Sequence, residues 1–174
     1  MRKILFLSVL LITASGISNA QEQQKKSRRE IREERQAKKI KEIRTLLEER
    51  TYVFTPTHAM PMGGGSIHLN FSFDAEINKD TINSYLPFFG VAYRAEYGAR
   101  RSALDFIQPV TDYRMEKDKD GYQINFEVKN KMDNLIFTFH ISETGYATLN
   151  VISTDRQAIS YYGRIEAPEP EQNP

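Results

Sequence analysis

The sequence predicts a mainly β (α+β) protein: a strongly curved antiparallel meander sheet, barrel-like or half-barrel, with one N-terminal helix. Three observations carry that prediction. Between Glu22 and Arg50 the chain is dense in charge and free of Gly and Pro, and from Thr51 onward its apolar residues fall on every second position. Short turns containing Gly, Asp or Asn separate the alternating runs. Connections this short join antiparallel neighbours, because a parallel return needs a crossover of about a dozen residues or more.

The chain of 174 residues opens with Arg2 and Lys3, an apolar stretch from Ile4 to Ala14, and small residues at Ser18 and Ala20. That order predicts a Sec signal peptide, residues 1–20, cleaved after Ala20, and hence a periplasmic or secreted protein. The apolar stretch is shorter than the ~20 residues that cross a bilayer, and no later segment is apolar enough to do so, so no transmembrane segment is expected after cleavage. Losing Arg2 and Lys3 leaves 22 basic residues against 23 acidic ones. A balance so close to neutral creates no global field toward nucleic acid, which is not an expected partner. The absence of Cys excludes a disulfide scaffold, a thiolate zinc site, a Cys nucleophile and a lipidated cysteine anchor.

Residues 21–50 form the charged helical region. From Glu22 to Arg50 there are eleven basic and seven acidic residues, whereas Thr51 to Pro174 carries eleven basic and sixteen acidic ones, so the two parts attract weakly. Glu, Lys, Arg and Gln lose little side-chain freedom in a helix. Ala37, Ile40, Ile43, Leu46 and Leu47 recur at three- and four-residue spacing, which predicts that Ala37–Arg50 docks on the body. Ile31 stands almost alone, and the part before it is expected to be mobile. Pairs such as Glu34 with Lys38 add i,i+4 support, and interleaved acids dilute any field that could attract anionic lipid or nucleic acid.

The β domain is expected over 51–166. Ile67, Leu69, Phe71 and Phe73 alternate with His68, Asn70 and Ser72; Tyr122, Ile124, Phe126 and Val128 repeat the pattern, followed by Leu135–Ile141 and Ala147–Val151. Tyr52–Phe54, a segment near Thr111–Glu116, and Ile159–Ile165 bring the total to seven strands or a little more. Turns are read at Met62–Gly65, Asp120-Gly121, Asp133-Asn134 and Thr144-Gly145. A sheet with one apolar face must curl, close or be covered, and the Ala37–Leu47 face offers a cover. The Pro-rich, acidic tail, 167–174, is expected to be disordered.

Thr81 to Phe106 is neither cleanly alternating nor helical. It concentrates Tyr85, Phe88, Phe89, Tyr93 and Tyr97 beside Arg94, Arg100 and Arg101, with Gly90 and Gly98 as backbone hinges. Aromatic and Arg side chains dominate binding hot spots, so these residues are the candidate contact surface. The structural alternative is that Leu86, Phe88 and Phe89 plug one end of the sheet. Arg156, near the last turn, is a further candidate: its guanidinium either binds an anion or pairs with Asp155 and the sheet edge.

Two of these stretches carry a resemblance. LPFFGVAY at Leu86 to Tyr93, followed by a Gly-containing loop and Leu104-Asp105-Phe106, and the SxxRxxISYYGRI run from Ser153 to Ile165, resemble the domain of unknown function 4251 family. The resemblance runs from the leader to about Ile165 and implies a secreted protein of Bacteroidota. It brings no catalytic or ligand residues with it. Phe88 stands where the family motif is expected to have Tyr, which removes a hydroxyl from that position.

The sequence carries few patterns of catalytic or metal-binding residues. Glu116, Asp118, Asp120, Gly121 and Glu127 match EF-hand spacing, but Glu stands at the first ligand place and Tyr122–Val128 reads as strand, so a tight acidic hairpin is expected. His58, His68 and His140 have no HxH or HExxH spacing; His68 and His140 would converge only if their strands were neighbours. Gly63-Gly64-Gly65 lacks the Lys-Ser/Thr and helix of a phosphate loop, and no Ser sits in a G-x-S-x-G elbow. Glu96, Asp105 and Asp112 could pair as acid and base only through tertiary contact. No cofactor or metal is therefore expected. The sequence reading is a non-enzymatic binding or interaction module of the periplasm or cell envelope, taking an unknown small ligand or envelope protein. The alternatives are an envelope hydrolase with a carboxylate site or a structural subunit of an envelope complex.

Overall fold

The computed structural model describes residues 28–94, 102–131 and 133–169. The leader, its cleavage point and residues 170–174 of the tail lie outside them. The chain divides into two compact units at Arg35/Gln36. Helix α1 spans Arg28–Glu48. Its first turns are exposed, with Arg29 Nε 2.9 Å from Glu33. In the second unit, Lys39 pairs with Glu42 at 3.3 Å and Arg44 with Glu48 at 2.7 Å. Ile43 and Leu47 are fully buried and Leu46 and Ile40 half-buried, as the periodicity requires, whereas Ala37 is exposed. Ile43 lies over the left-handed Gly145, where a Cβ would stand 2.7 Å from Ile43 Cδ1.

The strands are β1 (Thr51–Pro61), β2 (Ile67–His68), β3 (Asp74–Asn78), β4 (Thr81–Leu86), β5 (Leu104–Asp118), β6 (Gly121–Asn130), β7 (Asp133–Ser142), β8 (Tyr146–Ser153) and β9 (Ile159–Glu166). All their pairings are antiparallel, in the order β2-β1-β3-β4-β5-β6-β7-β8-β9, and β1 also pairs with β9 from Val53↔Glu166 to Pro61↔Ile159. That last ladder closes β1 and β3–β9 into an eight-stranded barrel. Closure removes the free edges that an open sheet would expose. The meander prediction holds, and of its two forms, barrel-like or half-barrel, the structure takes the closed barrel.

Inward residues alternate along the eight barrel strands, most regularly on β7, where Leu135, Phe137, Phe139 and Ile141 are buried. Rings fill the interior. Phe126 stacks on Phe137 with centroids 5.1 Å apart, and Phe139 meets Phe54 edge-on at 5.4 Å. The helix end, with Ile43 and Leu47, closes the barrel beside the β7–β8 turn; Leu86, Phe88 and Phe89 pack on the same core from the opposite end.

Several expectations are corrected. The strand read over Ile67–Phe73 is only two residues long, because an i→i+2 hydrogen bond from Phe73 N to Phe71 O (2.9 Å) bends the chain and leaves Phe71 77% exposed. Conversely Thr81–Leu86, read as irregular, alternates cleanly as β4. Its polar inward residue, Ser84, disguised the period, and its hydroxyl is satisfied by donating to Leu104 O at 2.7 Å. The β6–β7 turn follows Asn130, at Lys131 (φ 57°), rather than at Asp133-Asn134, since Asp133 already pairs with Asn130. The acidic string does form a hairpin: Asp118 pairs with Gly121, and Asp118 Oδ1 accepts from Lys119 N at 2.7 Å. β1 and β5 are longer than the segments read from the sequence. β1 runs through Pro56 at a bulge before His58, and β5 through a shift at Asp112.

Candidate functional site

Of the candidate residues, Phe88, Phe89, Tyr93, Arg94 and Arg156 lie at the barrel end opposite Ile43 and Leu47. There β4 runs out at Leu86, and the chain continues as a strap, residues 87–94, over the mouth to the β8–β9 loop. Pro87 O accepts a 2.6 Å hydrogen bond from Tyr161 Oη, whose phenol is pushed well above its ordinary pKa by burial. Phe88 and Phe89 turn into the core and are half-buried. Gly90 passes so close beneath Phe88 that a Cβ would lie 2.9 Å from Phe88 Cζ. Beyond it the strap is laced to the loop: Val91 N donates to Gln157 Oε1 (3.1 Å), Gln157 N to Val91 O (3.0 Å), and Tyr93 N and Arg94 N both to Asp155 O (2.8 and 3.1 Å).

The loop itself is held by one carboxylate. Asp133, whose side chain is 9% exposed, accepts from Ser153 Oγ (2.8 Å), Thr154 N (3.1 Å), Thr154 Oγ1 (3.0 Å) and Arg156 Nε (3.2 Å). Arg156 is 19% exposed on its side chain, and its guanidinium carbon stands 5.8 Å from the Phe88 ring centroid. The expected partner of Arg156, Asp155, instead lies 3.8 Å from the exposed Arg94, because Arg156 points inward across the loop to β7. Ser153 and Arg156, the two polar residues of the SxxR run, thus converge on Asp133, a residue that the sequence reading treated as part of a turn. With its lone pairs turned to these donors, Asp133 acts as the structural acceptor of the loop.

The structure brings Phe88, Phe89 and Arg156 together inside the mouth, and leaves Tyr93 (66% exposed), Val91 and Arg94 on the outside of the strap. Tyr85 lies elsewhere, on the outer face of β4. It packs on Phe73 at 5.3 Å, and Phe73 meets Phe71 at 6.2 Å, so the three rings form a short aromatic row; alternation assigned Phe71 and Phe73 to the core, where Phe73 does pack, half-buried, while Phe71 is exposed. Tyr97, Arg100 and Arg101 lie outside the described residues. A concavity of about 250 Å³ opens on the outer face near the opposite end, lined in part by Asp118, Asp120, His140, Tyr146, Thr148 and Tyr162. Tyr146 and Tyr162 stack there at 6.4 Å, and Arg164 covers Tyr146.

His68 and His140 do not meet, since β2 and β7 are not neighbours. His58 and His68 do: they are direct cross-strand partners with ring centroids 4.9 Å apart. Sequence reading missed this pair, although the Gly63–Gly65 turn between them was the available signal. Among the described residues, no group of three or more His, Asp or Glu side chains is arranged to hold a metal ion, and no helix is long and apolar enough to cross a membrane.

The family model described as Domain of unknown function (DUF4251) matches residues 34–165. No curated protein matches the chain. Among solved structures, the chain is similar to the crystal structure of a DUF4251 family protein from Bacteroides eggerthii. The TM-score is 0.57 at 13% sequence identity, over 76% of this chain and 91% of that one, a likeness of fold alone.

Proposed function

The chain belongs to the domain of unknown function 4251 family, and from that premise we propose that it is a non-enzymatic interaction module of the periplasm or cell envelope. It takes a protein partner at the aromatic end of its barrel. One observation carries this reading: the barrel interior is occupied by its own rings, Tyr52, Phe54, Phe126, Phe137, Phe139 and Tyr161, while Phe71, Tyr85 and Tyr93 stand exposed toward the strapped end. A ligand carrier keeps an interior cavity, whereas a protein-binding surface keeps large apolar side chains outside on a backbone that does not move. Asp133 and the strap hydrogen bonds supply that fixed backbone, which lowers the ordering cost of association. The leader at Arg2–Ala20 supports export, so the mature chain is expected to begin at Gln21.

Native mass spectrometry of the protein purified from its own periplasm tests the proposal. A companion protein is expected, lost when Phe71 and Tyr93 are both changed to Ser. A bare monomer retires the reading, and a bound small molecule in place of a protein redirects it to the Tyr146 and Tyr162 cleft. The intact mass separately checks cleavage after Ala20.

A further inference from the structure

We propose that His58 and His68 form an open two-imidazole site for a divalent transition-metal ion of the Zn2+, Cu2+ and Ni2+ class, independent of the partner surface. The ladder sets the pair. Leu69 N donates to Thr57 O at 2.9 Å, so Thr57 and Leu69 face each other as a hydrogen-bonded couple, and the next couple, His58 and His68, is the closer, non-hydrogen-bonded kind. Their rings accordingly sit 4.9 Å apart between centroids on one outward face. Two nitrogens that each bind one ion at about 2.0–2.1 Å in tetrahedral geometry stand about 3.3 Å apart, so binding requires the exposed His68 ring to turn until its nitrogen meets that of His58 at this distance.

The hydrogen bonds also set which nitrogen is available. Thr57 Oγ1 donates its single proton to Tyr162 O at 3.1 Å, and so can only accept from His58 Nδ1, 3.0 Å away. His58 Nδ1 therefore carries a proton, and in the neutral ring Nε2 is the nitrogen with the free lone pair. A ligating imidazole held through its other nitrogen is the arrangement that orients metal-binding histidines. Imidazole nitrogens suit Zn2+, Cu2+ and Ni2+, and the chain has no Cys to compete for them. Water completes the coordination. Because β2 pairs through only two residues, an ion held by both rings also clips β2 to β1, which gives a readout in stability.

The untagged protein is titrated with ZnCl2 while its histidine side-chain NMR signals and its Tm are followed. The His58 and His68 signals should move together and saturate while His140, distant on β7, stays put, and Tm should rise. His58→Gln and His68→Gln should each weaken Zn2+ binding at least about tenfold, since each removes one of only two protein ligands, and each should abolish the Tm rise; His140→Gln should behave as wild type. The proposal fails if binding does not saturate, if either single variant keeps wild-type affinity, or if His140→Gln loses as much. Both glutamine substitutions are at outward-facing positions, and an unchanged Tm without metal confirms that they fold.

Discussion

Arg156, in the loop between β8 and β9, reaches the Asp133 carboxylate at 3.2 Å and so ties that loop to the start of β7. Removing the carboxylate leaves a mostly buried guanidinium and the Ser153 and Thr154 hydroxyls without their acceptor. Asp133→Ala is therefore expected to cost about 2–4 kcal/mol in urea unfolding. Asp133→Asn, which keeps an oxygen acceptor, should cost less. Equal midpoints for Asp133→Ala and wild type would show that the loop does not depend on this pair.

The strap hangs on Tyr161. Tyr161→Phe keeps the ring in the core but leaves Pro87 O without its donor, an expected loss of about 1–2 kcal/mol. Hydrogen exchange localises the effect: the Tyr93 and Arg94 amides, bound to Asp155 O, should exchange faster, while those in the β6–β7 ladder keep their relative protection. Uniform acceleration across the barrel would contradict a local anchor.

The β1–β9 seam depends on a missing side chain. A Cβ on Gly163 would overlap the Thr55 carbonyl oxygen and come within 2.7 Å of Pro56 Cα, both backbone atoms that cannot rotate away. Gly163→Ala should push the closing strands apart and give little soluble protein, or a Tm many degrees lower. Gly63→Ala, with open space around the position, is the control and should be near neutral.

Desolvation raises the Asp74 carboxyl above its usual range. Its folded pKa thus exceeds its unfolded one. The protonated group favours folding relative to the ionised one, and that stability is present below about pH 3.9 and lost as pH rises through the folded value. Asp74→Asn should accordingly raise Tm slightly at neutral pH, with the gain vanishing in acid. The same small gain at both pH values would assign the effect to something other than charge burial.

Strands β6 to β9 were legible because each alternates strictly and each turn is short, so inward and outward residues follow from the chain alone. The same rule misread two places for one reason. At Phe71 an alternating run continues through a bend, and at Ser84 a buried hydroxyl interrupts an alternation that the backbone keeps. Period-two reading sees polarity, whereas burial follows hydrogen-bond satisfaction. The candidate segment was legible as a composition of rings and Arg, and its plugging role at Leu86, Phe88 and Phe89 was among the readings drawn from it. Its anchor was not, since Asp133, Ser153, Thr154 and Gln157 are ordinary turn residues until the fold assembles them.

By itself, the sequence determined the helix face at Ile43 and Leu47, the antiparallel meander and the inward side of its later strands, because periodicity and turn length act between near neighbours in the chain. The tertiary structure alone decided that β1 meets β9, that Arg156 binds Asp133, and that His58 faces His68 as a non-hydrogen-bonded cross-strand pair. Each of those depends on the distance between separated segments, and that distance is set when the whole apolar face is buried at once.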